Sequence, residues 1–118
     1  MNYETARKFL IDQTITTEEN SDALLMRLKQ GKPPVPGQVT SMLLALKVVF
    51  AGLEDASTID RELAYTLYQL SIKTQQLFTA GAKVGVDWPP LLKEDLLRIA
   101  IASESIFSGE WQAYHNTK

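Results

Sequence analysis

The stretch from Met42 to Leu53 is the most apolar run of the chain, interrupted by Lys47. Around it Val39, Leu43, Leu46, Phe50 and Leu53 recur at steps of four and three, the spacing of one helical face. Met42, Leu44, Ala45, Val48 and Val49 widen that face until only a narrow strip including Thr40, Lys47 and Glu54 stays polar. A helix this apolar has to be surrounded, either in the middle of a bundle or against a partner. It also falls short of the ~20 apolar residues that a membrane span needs. The rest of the chain must therefore supply its cover.

Elsewhere the apolar spacing is again helical, and no convincing period-two alternation occurs. The punctuation falls at 31–37, 55–58, 81–90 and Gly109. A first helix is predicted from Tyr3 to Asp12, capped by Asn2, with Tyr3, Ala6, Phe9 and Leu10 on one side. A second runs from Thr17 to Gln30, capped by Thr16 or Thr17 and closed by Gly31. The third is the apolar helix, Gly37 to Glu54. The fourth spans Ile59 to Ala82 after a cap at Ser57 or Thr58, with Leu63, Leu67, Leu70, Thr74 and Leu77 on its main stripe. The fifth begins at Pro89 or Pro90, carries Leu92, Leu96, Ile99, Ser103 and Ile106, and stops at Gly109. Short connections favour antiparallel neighbours, so the expected architecture is all-α, an antiparallel four-helix bundle with an additional short N-terminal helix.

With 118 residues, 45% of them apolar, one domain with one core is expected. The 12 basic and 14 acidic residues are interleaved, which argues against a nucleic-acid surface. The chain has no cysteine, so disulfides, thiolate nucleophiles and cysteine-based metal sites are excluded. Its first turns are charged and lack the apolar centre of a signal peptide, so a cytoplasmic protein is expected.

The segment QGKPPVPGQVT, residues 30–40, places Gly31, Lys32, Gly37 and Thr40 in one turn and raises the question of a phosphate site. Such a loop works by aiming consecutive backbone N–H groups at the anion, with Lys and a hydroxyl directly after the second glycine. Here the order is reversed, and Pro33, Pro34 and Pro36 have no N–H to give. A helix end, a stiff turn and a helix start account for every residue.

The strings GKPPVPGQVTSMLLALKVVF, ELAYTLYQL and GVDWPPLLKEDLLRIA resemble a family of short, poorly characterised cyanobacterial proteins, some of which carry the label dethiobiotin synthetase. For members so labelled the resemblance implies an ATP- and magnesium-dependent carboxylating ligase on a P-loop α/β fold, and hence a small-ligand or enzymatic link to biotin metabolism. The residues here offer neither a P-loop nor alternating strands and helices.

Few side chains suit catalysis. The single histidine, His115, lies near the end of the chain. Glu18 with Glu19, Glu54 with Asp55, and Glu94 with Asp95 are sequence neighbours, which point about 100° apart on a helix and do not converge. No catalytic residue, cofactor or metal is expected. The informative residues are apolar ones on the wrong side of their helices. Tyr65, Tyr68 and Ile72 lie opposite the main stripe of the fourth helix, and Leu97 and Ile101 opposite that of the fifth. They pack either beneath the N-terminal helix or against another protein, most simply a second copy. Trp88, Pro89 and Pro90 form either a staple onto the fifth helix or an exposed docking corner. Phe107, Trp111 and Tyr114, spaced by four and three, suggest a last turn beyond Gly109. The expectation is a non-catalytic interaction or assembly protein that self-associates or binds another protein, and neither nucleic acid nor membrane.

Overall fold

Asn2 opens the first helix as its sequence demands: Oδ1 accepts the Thr5 N–H at 2.8 Å, and α1 runs Tyr3–Asp12. A computed structural model describes residues 1–112; Tyr114 and His115 lie outside that range. All regular elements among the described residues are helical.

The second helix departs most from expectation. Glu18–Asn20 form one short 3₁₀ turn, and α2 is confined to Leu24–Lys29. Neither Thr16 nor Thr17 caps it. Gln13, just past α1, does so instead: its Oε1 accepts the Leu24 N–H at 3.0 Å, and its backbone carbonyl accepts the Leu25 N–H at 3.1 Å. A cap supplied from a different element leaves no local signature. Gly31 closes α2 as predicted. With φ +73° it lets the Lys32 N–H reach Arg27 O at 2.8 Å and its own N–H reach Leu28 O at 3.1 Å, the paired bonds of a Schellman end.

The apolar helix, α3, spans Gln38–Gly52. Residues 61–83 make one long helix of three parts: α4 Arg61–Tyr68, a π turn Gln69–Lys73, and α5 Thr74–Lys83. Its cap is Asp60, whose Oδ1 accepts the Leu63 N–H at 2.8 Å, rather than Ser57 or Thr58. In the π turn the Thr74 N–H reaches back five residues to Gln69 O. Ser71 and Thr74 hydroxyls bond the carbonyls of Leu67 and Leu70 at 2.8 and 2.7 Å, which relieves backbone acceptors in the widened turn. The helix ends in a second Schellman pair at Gly85, φ +92°. The last helix, α6, covers Leu92–Ser108, two residues later than the prolines suggest, and stops at Gly109.

The packing explains the apolar girth of α3, which lies between α1 and α6. Its fully buried line is Met42, Ala45, Leu46 and Val49; Val39, Leu43 and Phe50 are half-buried at the side. The two lines have the same spacing, so only the neighbours choose between them. Tyr3 lies over Gly52 and Gln13 bonds Gln38 at 2.7 Å, so α1 and α3 run antiparallel. Val39 and Thr40 share a cleft with Leu92 and Asp95, while Phe50 meets Trp111 beyond the other end, so α3 and α6 run parallel. Burying Leu63, Leu67, Leu70, Leu96 and Ile99 fully, at about 1.5–3 kcal/mol each, joins the 61–83 helix and α6 to the same core. Among the described residues no buried side-chain polar atom lacks a partner.

Candidate interaction surface

Since Leu63, Leu67, Leu70 and Thr74 face the core, helical geometry forces Tyr65, Tyr68 and Ile72 outward, and they are 61%, 53% and 42% exposed. α1 does not cover them. It meets α4 at the helix start, where Arg7 grips Asp60 with Nε and Nη2 at 3.2 and 3.1 Å and Glu62 with Nη2 at 3.0 Å. These bonds hold the Asp60 carboxyl below its ordinary range, helped by the Leu63 N–H, and raise Arg7. Burial, then the nearby Asp60 charge, raises the Tyr3 hydroxyl. The cluster is a clamp between two helices rather than acid–base machinery.

α6 packs against the π turn. On α6 Leu97 is 40% exposed and Ile101 is half-buried. Beyond Ile72 the same outward face continues as a shallow open surface formed by Gln75, Gln76, Thr79, Ala80 and Lys83. The apolar pattern stops at Ile72, because the later residues are amides, a hydroxyl, an alanine and a lysine. Their recurrence on the same face was the available signal.

Trp88 does not form the staple onto the following helix. It turns back on α5, stacking on Phe78 at 5.8 Å between centroids and donating Nε1–H to Phe78 O at 2.9 Å. Gly81 makes room: a Cβ there would sit 2.5 Å from the indole. Pro89 and Pro90 stay exposed, and Pro89 with Pro33, Pro34 and Leu91 edges a cleft of about 280 Å³ between the two proline corners. In the 30–40 segment Gln30, Lys32 and Thr40 are exposed, and two backbone groups are bonded locally. Arg27 Nε bonds Pro33 O at 2.7 Å, and the Val35 N–H bonds Gln38 Oε1 at 2.9 Å.

No helical turn follows Gly109 within the described residues. Ser105 Oγ accepts the Gln112 N–H at 2.8 Å, and Trp111 folds over α3, edge-on to Phe50 at 5.3 Å with Lys47 Nζ 5.2 Å from its ring. Phe107 is left exposed. Among the described residues no three His, Cys, Asp or Glu side chains gather as a metal site would need, and no helix is long and apolar enough to cross a membrane. Comparison with family models, with curated proteins and with solved structures finds no match.

Proposed function

We propose that this chain is a non-catalytic helical bundle of the cytoplasm that works by self-association through the Tyr65, Tyr68 and Ile72 ridge. The observation that carries this reading is a run of large apolar side chains left in water by a helix whose other face buries Leu63, Leu67, Leu70 and Thr74. Tyrosine suits such a surface, because its ring supplies apolar area while its hydroxyl still finds a hydrogen-bond partner. A non-catalytic role fits the use made of the polar side chains: Arg7, Asp60, Gln13 and Gln38 are spent on joining helices. The test is the mass in solution by light scattering across a concentration series, for the natural chain and for Tyr68→Glu. A dimer that weakens in the variant, with unchanged helical circular dichroism, supports the reading. A natural chain that stays monomeric, or a variant dimer of undiminished affinity, ends it.

A further inference from the structure

Gln13 uses only half of its side-chain amide to join the helices. Its Oε1 accepts the Leu24 N–H and Gln38 Nε2–H, which fixes the orientation of the group and leaves Nε2 as a donor. That nitrogen donates to nothing among the described residues, although Gln13 is only 8% exposed. No sealed side-chain polar atom among those residues lacks a partner, so Nε2 reaches water. Gln13 borders an open hollow, which is where it does so. The hollow lies between elements: the end of α1, the 20–22 turn, the 35–37 corner and the start of α3 all wall it. Its volume of about 320 Å³, open mouth included, is that of about ten waters, more than a single sugar ring displaces.

Three more polar groups on its walls are unused by the fold. Ser41 Oγ makes no hydrogen bond among the described residues. Asn20 donates to Asp12 O at 2.8 Å and keeps Oδ1 unused, and Asp22 keeps Oδ2 unused after Oδ1 meets Arg27 at 3.4 Å. Phe9, Val35 and Pro36 supply an apolar border. We infer that this hollow binds a small uncharged polyol the size of one pyranose ring. Gln13 Nε2 and Ser41 Oγ donate to its hydroxyls, Asn20 Oδ1 and Asp22 Oδ2 accept from them, and the apolar border takes its C–H face.

The ligand class follows from what the walls offer. No lysine or arginine borders the hollow, and Arg27 beside Asp22 is already held by that carboxylate and by Pro33 O at 2.7 Å, so an anion finds no counter-charge. A single carboxylate, 75% exposed and already paired, gives a cation little to hold. A ligand with acceptors only, such as an ether or ester, would satisfy Gln13 and leave Asn20 and Asp22 without a donor. A primary amide has one donor end and one acceptor end, enough for two of the four unused groups. Adjacent hydroxyls each donate and accept, and so match all four. The site shares no residue with the tyrosine ridge, so binding here is independent of self-association.

The test is a titration of the isotope-labelled full chain with glucose, galactose and myo-inositol, followed by NMR through the side-chain NH2 pair of Gln13. The expected result for at least one polyol is a saturable shift of that pair, with backbone shifts at Asn20, Gln38 and Ser41. Half-saturation should fall in the millimolar range, because the hollow is open and the contacts are few. Ser41→Ala removes a hydroxyl that the fold does not use and should raise the Kd about threefold or more. Gln13→Glu keeps an acceptor for Leu24 and Gln38 but puts an oxygen where the free donor stood, and should raise it about tenfold or more. If Gln13→Glu does not fold, Ser41→Ala decides. Failure of all three polyols to shift the Gln13 pair overturns the site, as does an unchanged Kd in Ser41→Ala. Saturation by acetamide or by inorganic phosphate, with every polyol silent, overturns the ligand class.

Discussion

The 61–83 helix holds its aromatic residues in two different ways. At its C-terminal part Phe78 is stacked by Trp88, the indole N–H is satisfied by a backbone carbonyl, and Gly81 is small enough to admit the ring. At its N-terminal part Tyr65 and Tyr68 have no ring partner within the described residues and stand in water. The same residue class on one helix thus serves the fold at one end and remains available at the other. What separates the two is the presence of a loop that folds back: residues 84–91 return Trp88 onto α5, whereas residues 53–60 leave the tyrosine face bare.

That contrast can be broken deliberately, beginning with the inner face. Leu67→Ala, at a fully buried position, should cost about 2–5 kcal/mol by urea denaturation. A loss comparable to that of a surface substitution would mean that the helix is not anchored as described.

Gln13→Ala removes the acceptor shared by Leu24 N–H and Gln38 and should cost about 1–3 kcal/mol, with loss concentrated in hydrogen-exchange protection of α2. Uniform loss of protection across all helices would deny the local capping role.

Gly81→Ala should displace the indole, losing about 0.5–1.5 kcal/mol each for its stacking and its hydrogen bond, while gaining up to about 1 kcal/mol of helix propensity. A red shift of Trp88 fluorescence in a Trp111→Phe background checks this. Unshifted emission would mean that the ring accommodates the methyl group.

Asp60→Asn keeps a side chain able to cap α4 but removes the ion pair with Arg7, and should cost about 0.5–1 kcal/mol at neutral pH, since the pair is partly exposed. The folded carboxyl is depressed, so its stabilisation is complete above the ordinary carboxylate value of 3.8 and fades as pH falls through the lower folded value. The gap between natural chain and variant should accordingly shrink below about pH 4, and a gap constant with pH would place the loss elsewhere.

The smallest effect belongs to the outer face. Tyr65→Ala should leave the stability of the single chain within about 0.5 kcal/mol, measured at concentrations where it is monomeric. A larger loss would make Tyr65 part of the fold rather than of a surface.

Much of this was legible in the residues. Asn2, Gly31 and Gly109 mark helix ends because capping and left-handed closure depend on the residue itself and its nearest neighbours. The Tyr65, Tyr68 and Ile72 ridge follows from helical periodicity once the opposite stripe is taken as core. The reading failed where a distant group does the local work: Gln13 starts α2, and Arg7 steadies the carboxylate that starts α4. It failed as well at Trp88, where Pro89 and Pro90 suggest a helix start but Gly81, seven residues earlier, provides the packing site.

The sequence by itself determined that the chain is helical, where most helices end, and which side chains of the long helix cannot share its buried face, because these depend on backbone preference and a fixed angular step per residue. Only the tertiary structure decided which line of α3 is buried, that α3 and α6 run parallel, that Gln13 caps α2, and that the tyrosine ridge stays uncovered. Those outcomes depend on which elements become neighbours, and the free energy of burial and hydrogen bonding is set by the neighbour as much as by the residue.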